Sequence, residues 1–350
     1  MTRSHLAAAV GVAVVWGVNF VVIHVGLQTT PALLLAALRF ALVSALLAPF
    51  VRRPELPWPQ LVAIGLTLYV GQFGLLFTAM DHGLSAGLAA VVLQSQAVFT
   101  FAGAVLLLGE RPGRLHVAGV AAAACGLALI GADAALGLGS APPAGGHGAA
   151  SGVTPVGFAL GLGAGLSWAV GNLVARRSGA TQGLSLVVWG SVVAAPPLAL
   201  LAVLSGGGLG NVAGELTRVG ASGAAALGYL VVFATVLGFG TWSALIGRYP
   251  AATVAPFTML VPPVGLLAAW LALGERPSPV ALVGSACVVA GLVAPQLLTR
   301  RRRRAADLRP AGVPADQASG TISGAPIRTA AAVSSSNCSC EARSAATRAR

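Results

Sequence analysis

Three carboxamides carry the clearest chemical signal in this chain. Asn19, Gln72 and Gln94 each stand inside a long apolar run (6–26, 59–80 and 86–108). An amide buried in hydrocarbon without a partner costs several kcal/mol. Asn19 lies seven residues from one end of its run, and Gln72 and Gln94 lie eight from the matching ends of theirs. At about 1.5 Å per helical residue this sets all three ~10–12 Å below one surface. Each could simply hydrogen-bond a neighbouring helix, but three amides at one depth on three helices favour a shared polar pocket. Gln96 follows Gln94 by two positions and points about 200° away, so Gln94 is expected to face the pocket. Arg39 is the one basic residue well inside an apolar run. An intramembrane charge is a functional candidate: Arg39 meets a substrate carboxylate, or it pairs with backbone carbonyls or reaches Asp81. Trp16 and Trp242 lie deep enough to line the same cavity, with Thr235, Thr241 and Thr258 as weaker polar contacts. Trp58, at a run's edge, reads as an interfacial ring.

The missing groups narrow the chemistry. The nine acidic residues are Glu55, Asp81, Glu110, Asp133, Glu215, Glu275, Asp307, Asp316 and Glu341, and none lies in the middle of an apolar run. Proton-coupled pumps usually hold a carboxylate or His in the membrane; here only His24 and His82, near one surface, are left to titrate. No cluster of His, Cys and Asp forms a nucleophile, base or metal set, so neither enzyme activity nor a cofactor is implied. A channel would need a continuous polar stripe, whereas these polar residues occupy isolated levels. A scaffold without transport would have no use for buried amides at matched depth.

The elements that must position these residues are membrane spans. The chain has 350 residues, 56% apolar and 9% charged, against roughly 25% charged in a soluble domain. Ten apolar stretches long enough for a ~30 Å core recur: 6–26, 31–50, 59–80, 86–108, 115–132, 155–174, 184–204, 222–246, 251–273 and 280–298. The first exceeds the roughly 7–15 apolar residues of a secretion signal and is expected to be retained. All 21 basic residues are Arg, so their positions carry more information than their type. With a cytoplasmic N-terminus, the inner segments hold Arg3, Arg52, Arg53, Arg111, Arg114, Arg176, Arg177, Arg248 and the run 300–304, while the outer loops hold only Arg218 and Arg276. This bias predicts an inner (plasma) membrane protein with both termini cytoplasmic. The Arg run reads as a topology anchor meeting anionic lipid; with no basic–aromatic platform beside it, no nucleic-acid partner is expected.

Residues 133–154, with Pro142, Pro143 and several Gly, read as a linker between two halves, and 299–350 as a basic, disordered tail. Cys125 and Cys287 read as small buried residues inside spans, and Cys338 and Cys340 as tail thiols unsuited to stable disulfides.

The halves repeat a signature. Gly-Glu-Arg-Pro stands at 109–112 and again at 274–277, and Gly119, Ala121, Gly126 and Leu127 match Gly284, Ala286, Gly291 and Leu292. Trp16 and Asn19 near the start of the first half find a looser echo in Trp168 and Asn172, spaced by four instead of three. Both Glu-Arg pairs read as punctuation that breaks a helix before Pro112 and Pro277. A duplicated unit with an odd number of spans is the usual origin of an inverted-repeat transporter.

The segments Val15–Phe20, Leu38–Phe40, Gly87–Gln94, Ser167–Asn172 and Gly247–Tyr249, with both Gly-Glu-Arg stretches, resemble the EamA family of the drug/metabolite transporter superfamily over roughly 6–298. Within it the chain is most similar to cysteine and O-acetylserine exporters. The resemblance implies an all-α membrane protein: a first repeat at 6–132 and a second at 155–298, ten helices as two inverted five-helix repeats around a central cavity. It also implies efflux of small metabolites by alternating access, with Trp16, Asn19, Arg39, Gln72, Gln94, Trp168, Asn172 and Trp242 as candidate substrate contacts. The smaller multidrug relatives depend on a Glu in their first helix; its absence here disfavours antiport of lipophilic cations. The runner-up is a carrier that imports, or moves a different metabolite or drug.

Overall fold

Each apolar run folds as a helix, because in lipid a backbone must satisfy its own hydrogen bonds. The computed structural model describes residues 1–138, 152–179 and 183–307. Among these, nine helices are long and apolar enough to cross a membrane: Arg3–Leu27, Trp58–Asp81, Ala86–Leu108, Arg114–Leu136, Pro155–Arg177, Leu184–Ser205, Ala221–Arg248, Pro256–Leu273 and Pro279–Thr299. The shorter apolar helix Ala32–Leu47 makes ten. They are called the first to tenth spans in chain order, Ala32–Leu47 being the second. The fold is all-α; the one β-bridge among the described residues ties Leu84 to Val153. A short helix, Leu209–Thr217, follows the seventh span.

The ends of the spans follow from local sequence. Thr2 and Thr154 cap the first and sixth spans, their hydroxyls accepting from His5 N (3.3 Å) and Gly157 N (3.0 Å). The two signature motifs close the fourth and ninth spans in the same way. Gly109 and Gly274 adopt left-handed φ of 66° and 67°, which glycine tolerates without strain. The following Glu110 and Glu275 donate their backbone N–H groups to Ala104 O (3.2 Å) and Ala269 O (3.3 Å).

Two irregularities recur in both halves. The third and eighth spans carry π-helical turns at Gly65–Gly71 and Leu230–Leu237. The fourth span is interrupted at Leu93 and Gln94, and the ninth segment passes through a 3-10 stretch, Ala255–Leu260. Such turns shift the i→i−4 ladder and often mark functional positions.

Small residues let the helices approach closely. A Cβ on Gly17 of the first span would lie 2.5 Å from Val264 of the ninth. Between the fifth and tenth spans, a Cβ on Gly126 would meet Gly284 O at 2.4 Å, and one on Gly119 would meet Gly291 O at 2.3 Å. The four repeat glycines therefore meet crosswise in this contact, Gly126 on Gly284 and Gly119 on Gly291, each opposite the other's repeat equivalent. The main core gathers Phe20, Ile23, Leu35, Phe40, Leu61, Ile64, Phe77 and Leu88 from the first four spans, with Leu186 and Leu198 of the seventh.

The described residues correct two expectations. Helix continues through Leu136, so the start of the expected linker is helical; residues 139–151 lie outside the described residues. Cys125 is exposed and Cys287 only partly covered, because both stand on the outward faces of peripheral helices rather than in the core. Cys338, Cys340 and the rest of the tail beyond 307 lie outside the described residues.

Replacing Gly126 by Val should force the fifth and tenth spans apart and destabilise the protein by about 1–3 kcal/mol. The check is a lower midpoint of thermal aggregation in detergent, with Ala118→Val, about two turns away and exposed, as a control that leaves it unchanged.

Candidate functional site

Arg39 lies on the second span, 3% exposed. Its Nη2 donates to Thr235 Oγ1 at 3.3 Å, and its Cζ stands 4.5 Å from the ring centroid of Phe73 and 5.4 Å from that of Phe40. The guanidinium thus rests against aromatic faces of the second and third spans, a favourable seat for a cation. Nε and Nη1 are buried and have no hydrogen-bond partner. The ion pairs among the described residues are Arg176–Glu110 and Arg218–Glu215, so Arg39 does not reach Asp81 as one sequence reading allowed. The reason is local: the π turn of the eighth span brings Thr235 to it. Thr235 passes its own proton to Leu230 O at 2.8 Å, five residues back, which leaves its lone pairs toward Arg39.

The first span meets the same stretch of the eighth. Trp16 Nε1 donates to Ala234 O at 3.0 Å, next to Thr235, and Tyr229 Oη donates to Val15 O at 2.7 Å. The Trp16 ring lies 5.0 Å from Phe239 and 5.4 Å from Trp242, centroid to centroid. Asn19, three residues beyond Trp16 and so on the same helical face, is 8% exposed, and its Oδ1 accepts no hydrogen bond. Gln72 is buried at the residue preceding Phe73. Trp16, Arg39 and Trp242 therefore gather at the eighth span, Trp16 and Arg39 on adjacent residues of its π turn and Trp242 against the Trp16 ring. Arg39 offers two bare donor nitrogens, and Asn19 one bare carbonyl acceptor.

The remaining candidates fall elsewhere. Asn172 of the sixth span donates through Nδ2 to Gln96 Oε1 of the fourth at 3.3 Å. It is Gln96, not Gln94, that is held by a partner across the fourth and sixth spans. Gln94 sits at the interruption of the fourth span and is partly exposed. Its φ,ψ of −68°, −9° make it the residue where one helical segment ends and the next begins. Trp168 packs partly buried against the main core. Trp58 is half exposed, with Arg53 4.8 Å above its ring, as befits an interfacial residue.

The two signature glutamates differ sharply. Glu275 is 1% exposed, and its carboxylate accepts from the backbone N–H groups of Ala86 (2.8 Å) and Gly87 (2.9 Å), at the start of the fourth span. Nearby in sequence, Ser278 caps the tenth span, accepting from Ala281 N at 3.0 Å, and donates its hydroxyl proton to buried Asp133. Glu110 instead pairs with Arg176 at 2.6 Å, both half exposed. Reading both as helix punctuation captured the backbone turn and missed the tertiary bond of Glu275, whose partners lie 188 and 189 positions away.

The profile of a family described as the EamA-like transporter family matches residues 3–132 and 155–294. The chain is 41% identical over 296 residues to a probable amino-acid metabolite efflux pump of Salmonella typhimurium, covering 83% of this chain and 94% of that one. It is 38% identical to a protein of the same description from Escherichia coli K12, with the same coverage. It is also 30% identical to a probable terminal-alkyne amino-acid exporter of Streptantibioticus cattleyicolor, over 85% of this chain and 95% of the other. A crystal structure at 22% identity superposes with a TM-score of 0.56, covering 86% of this chain and 99% of that one; this likeness speaks for the fold alone.

The Gln96–Asn172 contact yields a specific expectation. A double-mutant cycle with Gln96→Ala and Asn172→Ala should give a coupling of about 0.6 kcal/mol and no more than about 1.7. Unfolding of the purified protein in mixed micelles measures it.

Proposed function

The chain belongs to the EamA-like transporter family, and from this membership we propose that it exports amino-acid metabolites, small zwitterions such as cysteine and O-acetylserine, by alternating access. The observation that carries this reading is the buried guanidinium of Arg39 with two unpartnered nitrogens. An intramembrane cation without a carboxylate is expensive to keep. A substrate carboxylate would satisfy Nε and Nη1 with charge-assisted hydrogen bonds. The bare Oδ1 of Asn19 can accept from the substrate's ammonium, since Trp16 and Arg39 bind adjacent residues of the eighth span and Asn19 shares the face of Trp16. Gln72, beside Phe73, and Trp242, against Trp16, complete the wall.

The descriptions of the relatives as efflux pump and exporter support outward movement. The arginine distribution supports both termini in the cytoplasm, which puts the 28–31, 82–85 and 274–278 loops outside. A lipophilic cation fits poorly: the one charged group in the pocket is itself positive.

Overexpressing cells should enrich their medium in cysteine and O-acetylserine and tolerate excess cysteine better. At equal membrane abundance Arg39→Gln should lower apparent affinity by about thirtyfold or more, the cost of losing one partner of a buried charge pair. Unchanged export by the variant, or a gain of resistance to quaternary ammonium dyes with no amino acid exported, would overturn the assignment. A reporter fused after Arg300 should be active only if it works in the cytoplasm; activity of a periplasmic reporter there would reverse the topology.

A further inference from the structure

The duplicated signature folds alike and bonds differently. In both copies the glycine is left-handed and the glutamate N–H returns to the matching alanine, Ala104 or Ala269. The two carboxylates are thus launched from one backbone geometry. Glu275 is buried on the amides of Ala86 and Gly87, whereas Glu110 stays half exposed against Arg176. By the register of the repeat, the residues equivalent to Ala86 and Gly87 are Ala251 and Ala252, where the ninth segment begins. The helices diverge in the same sense. At the Glu275 end, the ninth span packs on the first half of the fourth, with Ala269 and Leu266 against Gly87 and with Ala90 against Gly265. The second half of the fourth, Ser95–Leu108, packs on the sixth span instead.

We propose that Glu275 is the latch that holds the outer end of this transporter shut, and that Glu110 is its counterpart, which closes on the segment at 251–252 when the inner end shuts. Both are positioning residues of the transport cycle; neither contacts substrate. The proposal deepens the export reading and uses its topology. A carboxylate accepting two N–H bonds at a helix start is a charge-assisted contact, and it forms only when the fourth and ninth spans are together at that end. Exchanging one such contact for its mirror image moves the opening from one side to the other with little net change in energy. That is what a two-state element with near-equal states requires. The exposed Glu110–Arg176 pair contributes little and is easily given up.

The test is side-specific labelling, without substrate, of Leu266→Cys in a chain whose native cysteines are replaced, using a membrane-impermeant maleimide on intact cells. In the parent, labelling from outside is slow. With Glu275→Gln it should rise about tenfold at equal abundance. Glu110→Gln should leave it at or below the parent rate while export falls. The pair Glu110→Gln with Glu275→Gln should bring labelling back toward the parent rate, a compensation that a merely unfolded protein does not show. Labelling of Glu275→Gln at the parent rate would overturn the latch, and a double variant labelled like Glu275→Gln alone would overturn the counterpart role of Glu110. If labelling responds as expected in cells that export no amino acid, the latch stands and the substrate reading falls.

Discussion

A guanidinium buried among helices, with one protein hydrogen bond and no carboxylate, governs how the rest of the site is read. Most of this chain obeys the rule of the bilayer: helices satisfy their own backbone, and small residues bring them close. Arg39 departs from it. Thr235 and the Phe73 and Phe40 faces give it a seat, but not a counter-charge. A protein that retains such a cost in its interior is expected to recover it from a ligand. The bare oxygen of Asn19 is complementary, since it waits for a donor as Arg39 waits for an acceptor. The proposed export of a small zwitterion assigns its carboxylate to the one and its ammonium to the other.

The irregular backbone serves the same end. The π turn of the eighth span displaces Thr235 and Ala234 so that one meets Arg39 and the other meets Trp16. Its counterpart in the third span, Gly65–Gly71, ends immediately before Gln72 and Phe73. The two halves thus carry equivalent distortions at matching positions, while the signature glutamates, equivalent in backbone, are unequal in bonding. Symmetry in the turns and asymmetry at the ends belong together in a bundle that opens on one side at a time.

Much of the fold was legible in the sequence because its cause is a single quantity, apolar length. Each of the ten runs became a helix, and the arginine bias and repeat register came from the same strings. Among the candidate residues, Arg39, Asn19, Trp16 and Trp242 were readable as polar or aromatic groups at depth; Trp16 and Arg39 meet adjacent residues of the eighth span, and Trp242 packs on Trp16. Gln94 and Gln96 were not separable, because a helical wheel assumes an unbroken helix and the fourth span is interrupted between Leu93 and Ser95. The partner of Arg39 and the partners of Glu275 were hidden for another reason: they lie more than 180 positions away along the chain, and no local pattern announces them. A π turn likewise leaves no mark in hydropathy.

The central claim is that the pocket recognises a carboxylate through Arg39. Competition in proteoliposomes tests it most directly, with entry of labelled cysteine opposed by unlabelled cysteine or by its decarboxylated amine, which differ only in that group. The account predicts that cysteine competes and the amine does not, and that Arg39→Gln abolishes the distinction by losing affinity for cysteine alone. Equal competition by the two compounds in the unaltered protein would contradict it.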